Sequence, residues 1–166
     1  MDNDIPLSTL IERGGIFREV AGNSVDSVLT EFIGLLPGPF SPERDGDREF
    51  RTALVKAALE REALMSTSIG RGIALPHPRN PMAADEKTQF VAVGFPALPV
   101  DWKALDGKPV HSVLLIVSAS SKFHLRTLSK INFFCTDEKF LSLLRDRAPS
   151  AVILQTIREA EQGWKQ

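Results

Sequence analysis

Two short runs of unbroken apolar residues set the strongest constraint on what this chain can fold into. Phe90-Val91-Ala92-Val93-Gly94-Phe95 and Val113-Leu114-Leu115-Ile116-Val117 both lack the polar alternation of a strand with one wet face. A strand of that kind is buried on both sides, so each face of its sheet must be covered by something apolar. Neither run approaches the roughly 20 residues that a membrane-spanning helix needs. The covering layers are present as helical patterns. Ser24 is an N-cap residue type, and behind it Val25, Val28, Leu29, Phe32, Ile33 and Leu36 fall on one helix face before Pro37-Gly38-Pro39 stops the pattern. After a polar loop over 41–47, Asp47 is expected to open a long helix to about Leu64, with Phe50, Leu54, Ala57, Ala58, Arg61 and Leu64 facing inward. Shorter helices are expected over Pro6–Glu12, Lys122–Phe134 behind Ser120-Ser121, Glu138–Asp146 and Ser150–Gln162, and extended segments over Ile16–Val20 and Ile73–Leu75. Strands interleaved with helices predict an α/β fold, a central sheet flanked by helices on both faces. Asp106-Gly107, a hairpin dipeptide between the two apolar runs, makes part of that sheet antiparallel, so a mixed sheet is expected.

The 166 residues suit a single domain spanning 1–166. A formal net charge of -1 gives no general attraction to nucleic acid or to an anionic membrane surface. The single cysteine, Cys135, leaves no intramolecular disulfide to form, which fits a reducing compartment. The N-terminal MDNDIPLSTL is acidic and has no long apolar core, so a secretory signal is not expected and the chain reads as cytoplasmic, without direct membrane insertion.

Chemistry concentrates around one histidine. Ser66-Thr67-Ser68-Ile69-Gly70-Arg71-Gly72-Ile73-Ala74-Leu75-Pro76-His77 reads as a glycine-punctuated turn, a short apolar strand and a histidine held behind a proline. Pro76 fixes its own φ and pushes Leu75 toward an extended backbone, so His77 sits where an extended segment stops. With an unperturbed pKa of ~6.5, an imidazole is largely neutral and nucleophilic at neutral pH. A phosphoryl group accepted there would be held as a phosphoramidate. His124 falls in the first turn of the helix behind Ser120-Ser121, where unpaired N–H groups and the helix dipole favour an anion. Arg61, near the end of the long helix, offers a planar fork of donors suited to phosphate. Each also has a plain reading: a satisfied core-edge imidazole, a helix-cap side chain, a solvated arginine. His111, at the start of the second apolar run, reads as a structural or surface residue. The three histidines show no His-x-x-x-His spacing and no acidic cluster, so a metal-dependent hydrolase is a weak reading.

The segment from Arg61 to His77 resembles the signature of enzyme IIA of the phosphoenolpyruvate-dependent phosphotransferase system, in the fructose/mannitol class that includes the nitrogen-regulatory enzyme IIA proteins. Two further stretches are similar to that family in the same order: Leu105-Asp106-Gly107-Lys108-Pro109-Val110 with the strand after it, and Lys122-Phe123-His124-Leu125-Arg126-Thr127-Leu128-Ser129. The likeness runs from about Leu7 to Gln155. It implies a mixed sheet flanked by helices on both faces, and no cofactor or metal. It implies that His77 accepts phosphate from a small histidine-phosphocarrier protein, that His124 is the neighbouring active-site histidine, and that Arg61 is the active-site arginine. It further implies a IIB domain or a regulatory target protein downstream, with the nitrogen-regulatory type favoured over dedicated sugar transport.

One residue departs from the pattern. The family commonly has glycine or alanine after the histidine, and here Pro78 stands there, without an N–H to donate. Arg79 follows and adds a cation beside the site. The alternative is therefore a domain that keeps the fold and binds a regulatory partner without being phosphorylated.

Overall fold

The two apolar runs lie side by side as paired strands of one sheet. The structure, a computed structural model, describes residues 4–164; the first three residues of the acidic N-terminal stretch, and 165–166, lie outside it. In chain order the elements are α1 (Leu7–Gly14), β1 (Ile16–Val20), α2 (Val25–Leu35), α3 (Arg44–Leu64), β2 (Ser68–Gly70), β3 (Ile73–Ala74), β4 (Phe90–Pro96), β5 (Ser112–Val117), α4 (Ser121–Phe134), α5 (Glu138–Arg145) and α6 (Ser150–Trp164). The sheet has the order β1-β4-β5-β3-β2. β4 and β5 pair antiparallel from Phe90↔Val117 to Gly94↔Val113, β2 pairs antiparallel with β3, and β1–β4 and β3–β5 are parallel. The mixed sheet expected from Asp106-Gly107 is therefore present, with that turn in the connection between the two antiparallel central strands.

Every residue of β4 and β5 is buried. Their alternate side chains feed two separate cores, as the pleat requires. Val91, Val93, Phe95, Leu114 and Ile116 pack with residues of α1, α4, α5 and α6. Phe90, Ala92, Val113, Leu115 and Val117 pack on the other face with α2 and α3. On α2 the expected stripe holds: Ser24 caps the helix through its side chain, and Val28, Leu29, Phe32 and Ile33 are buried. On α3 it holds only in part. Leu54 and Ala58 are buried, whereas Leu64 is 65% exposed. That helix also begins at Arg44 rather than Asp47. The Asp47 carboxylate is not its cap: it accepts from the Phe40 N–H at 2.7 Å and from Arg51 Nε at 2.8 Å, fastening the preceding loop to the helix flank.

The glycine-punctuated segment is a hairpin. Arg71 and Gly72 join β2 to β3 with φ of 58° and 79°, the left-handed values that a two-residue hairpin loop demands. β2 itself, a three-residue edge strand, was not foreshadowed by the turn-like Ser66-Thr67-Ser68.

Candidate functional site

Two neighbouring parallel strands carry the candidate residues to one end of the sheet. β3 ends at Ala74 and β5 at Val117, and they run side by side. The pairing continues two residues past β3, where the Ile116 N–H donates to the Pro76 carbonyl at 3.0 Å. His77 comes next. From the end of β5 the chain turns through Ser118 and Ala119 into α4, whose N-cap Ser120 accepts from the Phe123 N–H. His124 lies one turn in. The imidazole rings of His77 and His124 face each other with centroids 4.6 Å apart and a tilt of 47°. Crevices at the carboxyl ends of strands are where open α/β sheets place their ligands.

The tautomer of His77 follows from its partner. Nδ1 lies 2.8 Å from the Leu75 carbonyl oxygen, and a carbonyl can only accept. The proton of the neutral ring is therefore on Nδ1, and Nε2 keeps its lone pair. Burial pulls the pKa of His77 below the usual histidine value; the Leu75 hydrogen bond and the Glu62 carboxylate act against that shift, and the Arg61 guanidinium acts with it. His124 is pulled further, to about 4, by burial first and then by His77 and Arg61. Two imidazoles this close, with an arginine bearing on both, do not hold two protons together. At neutral pH the pair is neutral, with one ring a nucleophile and the other able to donate a single hydrogen bond.

Arg61 leaves the last turn of α3, and its Nη1 donates to the Met65 carbonyl at 2.7 Å, which folds the side chain back over the helix end. It shares a groove of about 560 Å³ with Arg79, Asn80 and Met82. Arg79 and Asn80 also line a small cleft of about 30 Å³ with Pro78, Ser118, Ser121 and His124. Arg79 thus bridges the surroundings of Arg61 and of His124. An apolar cavity of about 390 Å³ between Phe40, Phe50, Phe90 and Met82 contains neither candidate histidine nor Arg61.

The remaining titratable residues fall elsewhere. His111 precedes β5, at the opposite end of that strand from His124; Nδ1 is 2.7 Å from Ser112 Oγ, and the ring lies where a Cβ on Gly72 would come within 2.3 Å of it. Cys135 is a buried C-cap of α4, and burial raises its thiol to about 11. No group of three or more His, Cys, Asp or Glu able to hold a metal ion occurs among the described residues. Sequence reading passed over Glu62, Thr67, Ser118 and Asn80. The one available signal was Glu62: a carboxylate in the last turn of a helix opposes the dipole and calls for nearby donors.

A mixed sheet covered on both faces, with two imidazoles meeting where parallel strands end, has the form of a phosphotransferase IIA domain of the second type. The chain belongs to the family described as "Phosphoenolpyruvate-dependent sugar phosphotransferase system, EIIA 2", which residues 10–160 match. Among its relatives, a nitrogen regulatory protein of Pseudomonas aeruginosa is 30% identical over 161 residues, covering 96% of this chain and 99% of that protein. The fructose-specific EIIABC component of Bacillus subtilis is 26% identical over 155 residues; these cover 92% of this chain but only 23% of that much longer protein. The fold matches the crystal structure of nitrogen regulatory protein IIA-Ntr from Neisseria meningitidis with a TM-score of 0.71 at 23% identity, covering 90% of this chain and 97% of that one. It also matches enzyme IIAMTL of Escherichia coli, solved in complex with phosphorylated enzyme IIBMTL, with a TM-score of 0.62 at 16% identity, covering 87% and 94%. No helix among the described residues is long and apolar enough to cross a membrane.

Proposed function

We propose that this chain is one IIA domain acting as a phosphocarrier in the cytoplasm: His77 accepts a phosphoryl group from a small histidine-phosphocarrier protein, and the charged form is read by a regulatory target. The observation that carries this reading is the Nδ1–H of His77 held on the Leu75 carbonyl, which leaves Nε2 as the nucleophile beside His124. The Nε2 lone pair attacks phosphorus, the bond from phosphorus to the donor's ring nitrogen breaks, and that electron pair returns to the donor ring. The Nδ1–H of His77 stays on the carbonyl throughout. Little covalent chemistry remains for the protein, so positioning and charge carry the catalysis.

His124 and Arg61 act on the phosphoryl oxygens. In the unphosphorylated chain burial first, and then the Arg61 guanidinium, disfavours protonation of both rings. A phosphoryl dianion reverses that balance, so His124 takes up a proton as the group arrives and donates a charge-assisted hydrogen bond. Pro78 supplies no amide, and donors come instead from the start of α4, where the Ser121 and Lys122 N–H groups precede the capped Phe123 amide, and from the Ser121 hydroxyl. Arg79 adds a second guanidinium. The cleft beside His124, at about 30 Å³, is far too small for a sugar. It suits a phosphoryl group presented on another protein's side chain.

The regulatory reading rests on the likeness to proteins named for nitrogen regulation over nearly the whole length of both chains. A second reading keeps its footing on Pro78: a partner-binding module whose site has lost a backbone donor and is no longer charged. Labelled phosphoenolpyruvate with the first enzyme and the phosphocarrier of the system decides between them. The phosphocarrier reading expects one label per chain, abolished in His77→Ala. An unlabelled chain supports the module, whereas unchanged labelling of the variant places the phosphoryl group on another residue and contradicts both readings.

A further inference from the structure

We infer that Glu62 is a positioning residue for His77, acting through Thr67 and Leu75 to fix which ring nitrogen carries the proton. The inference rests on the phosphocarrier reading and extends it to a residue that touches neither the ring nor the phosphoryl group.

The path is short and each step is a hydrogen bond. Glu62 stands in the last turn of α3, where the helix C-terminus disfavours an anion. Its carboxylate turns away from the helix and takes both donors of one residue. Oε2 accepts from the Thr67 N–H at 3.1 Å, and Oε1 accepts from the Thr67 hydroxyl. Thr67 is only 6% exposed, so neither donor has water as an easy substitute. The Thr67 carbonyl accepts from the Leu75 N–H at 3.1 Å. Leu75 is 2% exposed, and its carbonyl holds the Nδ1–H of His77 at 2.8 Å. The carboxylate at the helix end therefore sets where Thr67 lies, Thr67 sets the Leu75 peptide, and Leu75 sets the tautomer.

A plain loop-closing role would end at Thr67. Two features carry it further. Between Thr67 and His77 the chain doubles back through the β2–β3 hairpin, so the Thr67–Leu75 bond joins the two arms of that hairpin next to the nucleophile. The Glu62 charge also reaches the His77 ring, with the opposite sign to that of its neighbour Arg61. The adjacent pair thus brackets the imidazole. Arg61 suits the incoming anion, and Glu62 keeps the ring basic enough to attack.

The test uses the whole chain with ring nitrogens labelled with ¹⁵N, in Glu62→Gln and Glu62→Ala. Glutamine keeps a carbonyl for the Thr67 amide but removes the charge. We expect its His77 to keep the proton on Nδ1 while titrating at lower pH than in the parent. In Glu62→Ala the Nδ1-protonated form should give way to a mixture with the proton on Nε2. Phosphoryl transfer in that variant should fall by roughly ten- to a hundredfold, the scale of a small misplacement of a reacting group. An unchanged His77 tautomer in folded Glu62→Ala would overturn the inference. Should that variant fail to fold, an unchanged His77 titration in Glu62→Gln would overturn it. Tautomer and titration are read without any phosphoryl donor, so a chain that is never phosphorylated would defeat the phosphocarrier reading while leaving the positioning role of Glu62 standing or falling on its own.

Discussion

His124 carries a large electrostatic shift. Its pKa is held at about 4 by burial first and then by His77 and Arg61, against an ordinary 6.5. Below about pH 6.5 the unfolded chain takes up a proton that the folded chain refuses until about pH 4. Folding stability at this residue is therefore complete above that window, is lost as pH falls through it, and levels off below. His77, also shifted downward, acts in the same direction. Urea midpoints measured from pH 7 to pH 4 should decline, and His124→Gln should flatten the decline; an equally steep profile in the variant would contradict the assigned charge balance. Phosphorylation should raise the His124 titration, which proton NMR of the ring follows directly. Cys135 offers a control at the same scale. Its thiol, buried and raised to about 11, should be alkylated in the folded chain far more slowly than an unhindered thiol at the same pH. Both histidines were legible in the sequence because local chemistry marks them: a proline-fixed strand end for His77, a serine-capped helix for His124. Glu62 shows in the sequence only as an anion misplaced at a helix end, and not as part of the site, since its action passes through a hairpin that doubles back on the chain.

Elements are held together here by contacts that no local pattern announces. α1 has Pro6 at its N-cap and no side-chain cap of its own. Glu161, near the end of α6, reaches across to accept from the Leu7 N–H at 2.7 Å, the Ser8 N–H at 3.1 Å and the Ser8 hydroxyl at 2.9 Å. The bond joins residues 154 apart, so a reading by windows finds α1 and α6 but never their union. Glu161→Ala strands two buried amides and should lower stability by about 2 kcal/mol in urea melts. A loss within error would place the helix cap elsewhere. At its other end α1 lies directly on β4: a Cβ on Gly14 would come within 2.1 Å of the Val91 carbonyl oxygen. The helix expected over Pro6–Glu12 runs on to Gly14, where the close backbone approach calls for glycine. Gly14→Ala forces the helix off the sheet and should cost about 2–3 kcal/mol, a fall in Tm of roughly 5–10 °C. The early start of α3 at Arg44 has a comparable explanation, since Asp47 looks like a cap in sequence but its carboxylate is engaged by Phe40 and Arg51.

Across the molecule, the sheet order explains why two distant sequence motifs make one site. β3 and β5 are parallel neighbours, so residues that follow each strand emerge together at one end, and the residue that precedes β5, His111, is carried to the other. The apolar runs made the two-faced core legible, and the Asp106-Gly107 turn between them the mixed sheet. They said nothing of strand order, which depends on which edges pair, and so the meeting of His77 with His124 became visible only in three dimensions. The proposed phosphoryl transfer falls on one atom. Phosphorylated protein with ¹⁵N-labelled rings, observed by phosphorus–nitrogen coupling, identifies the bonded nitrogen directly. Coupling to Nε2 of His77, with the proton still on Nδ1, is the predicted outcome; phosphorus bonded to Nδ1 of His77, or to either nitrogen of His124, would contradict it.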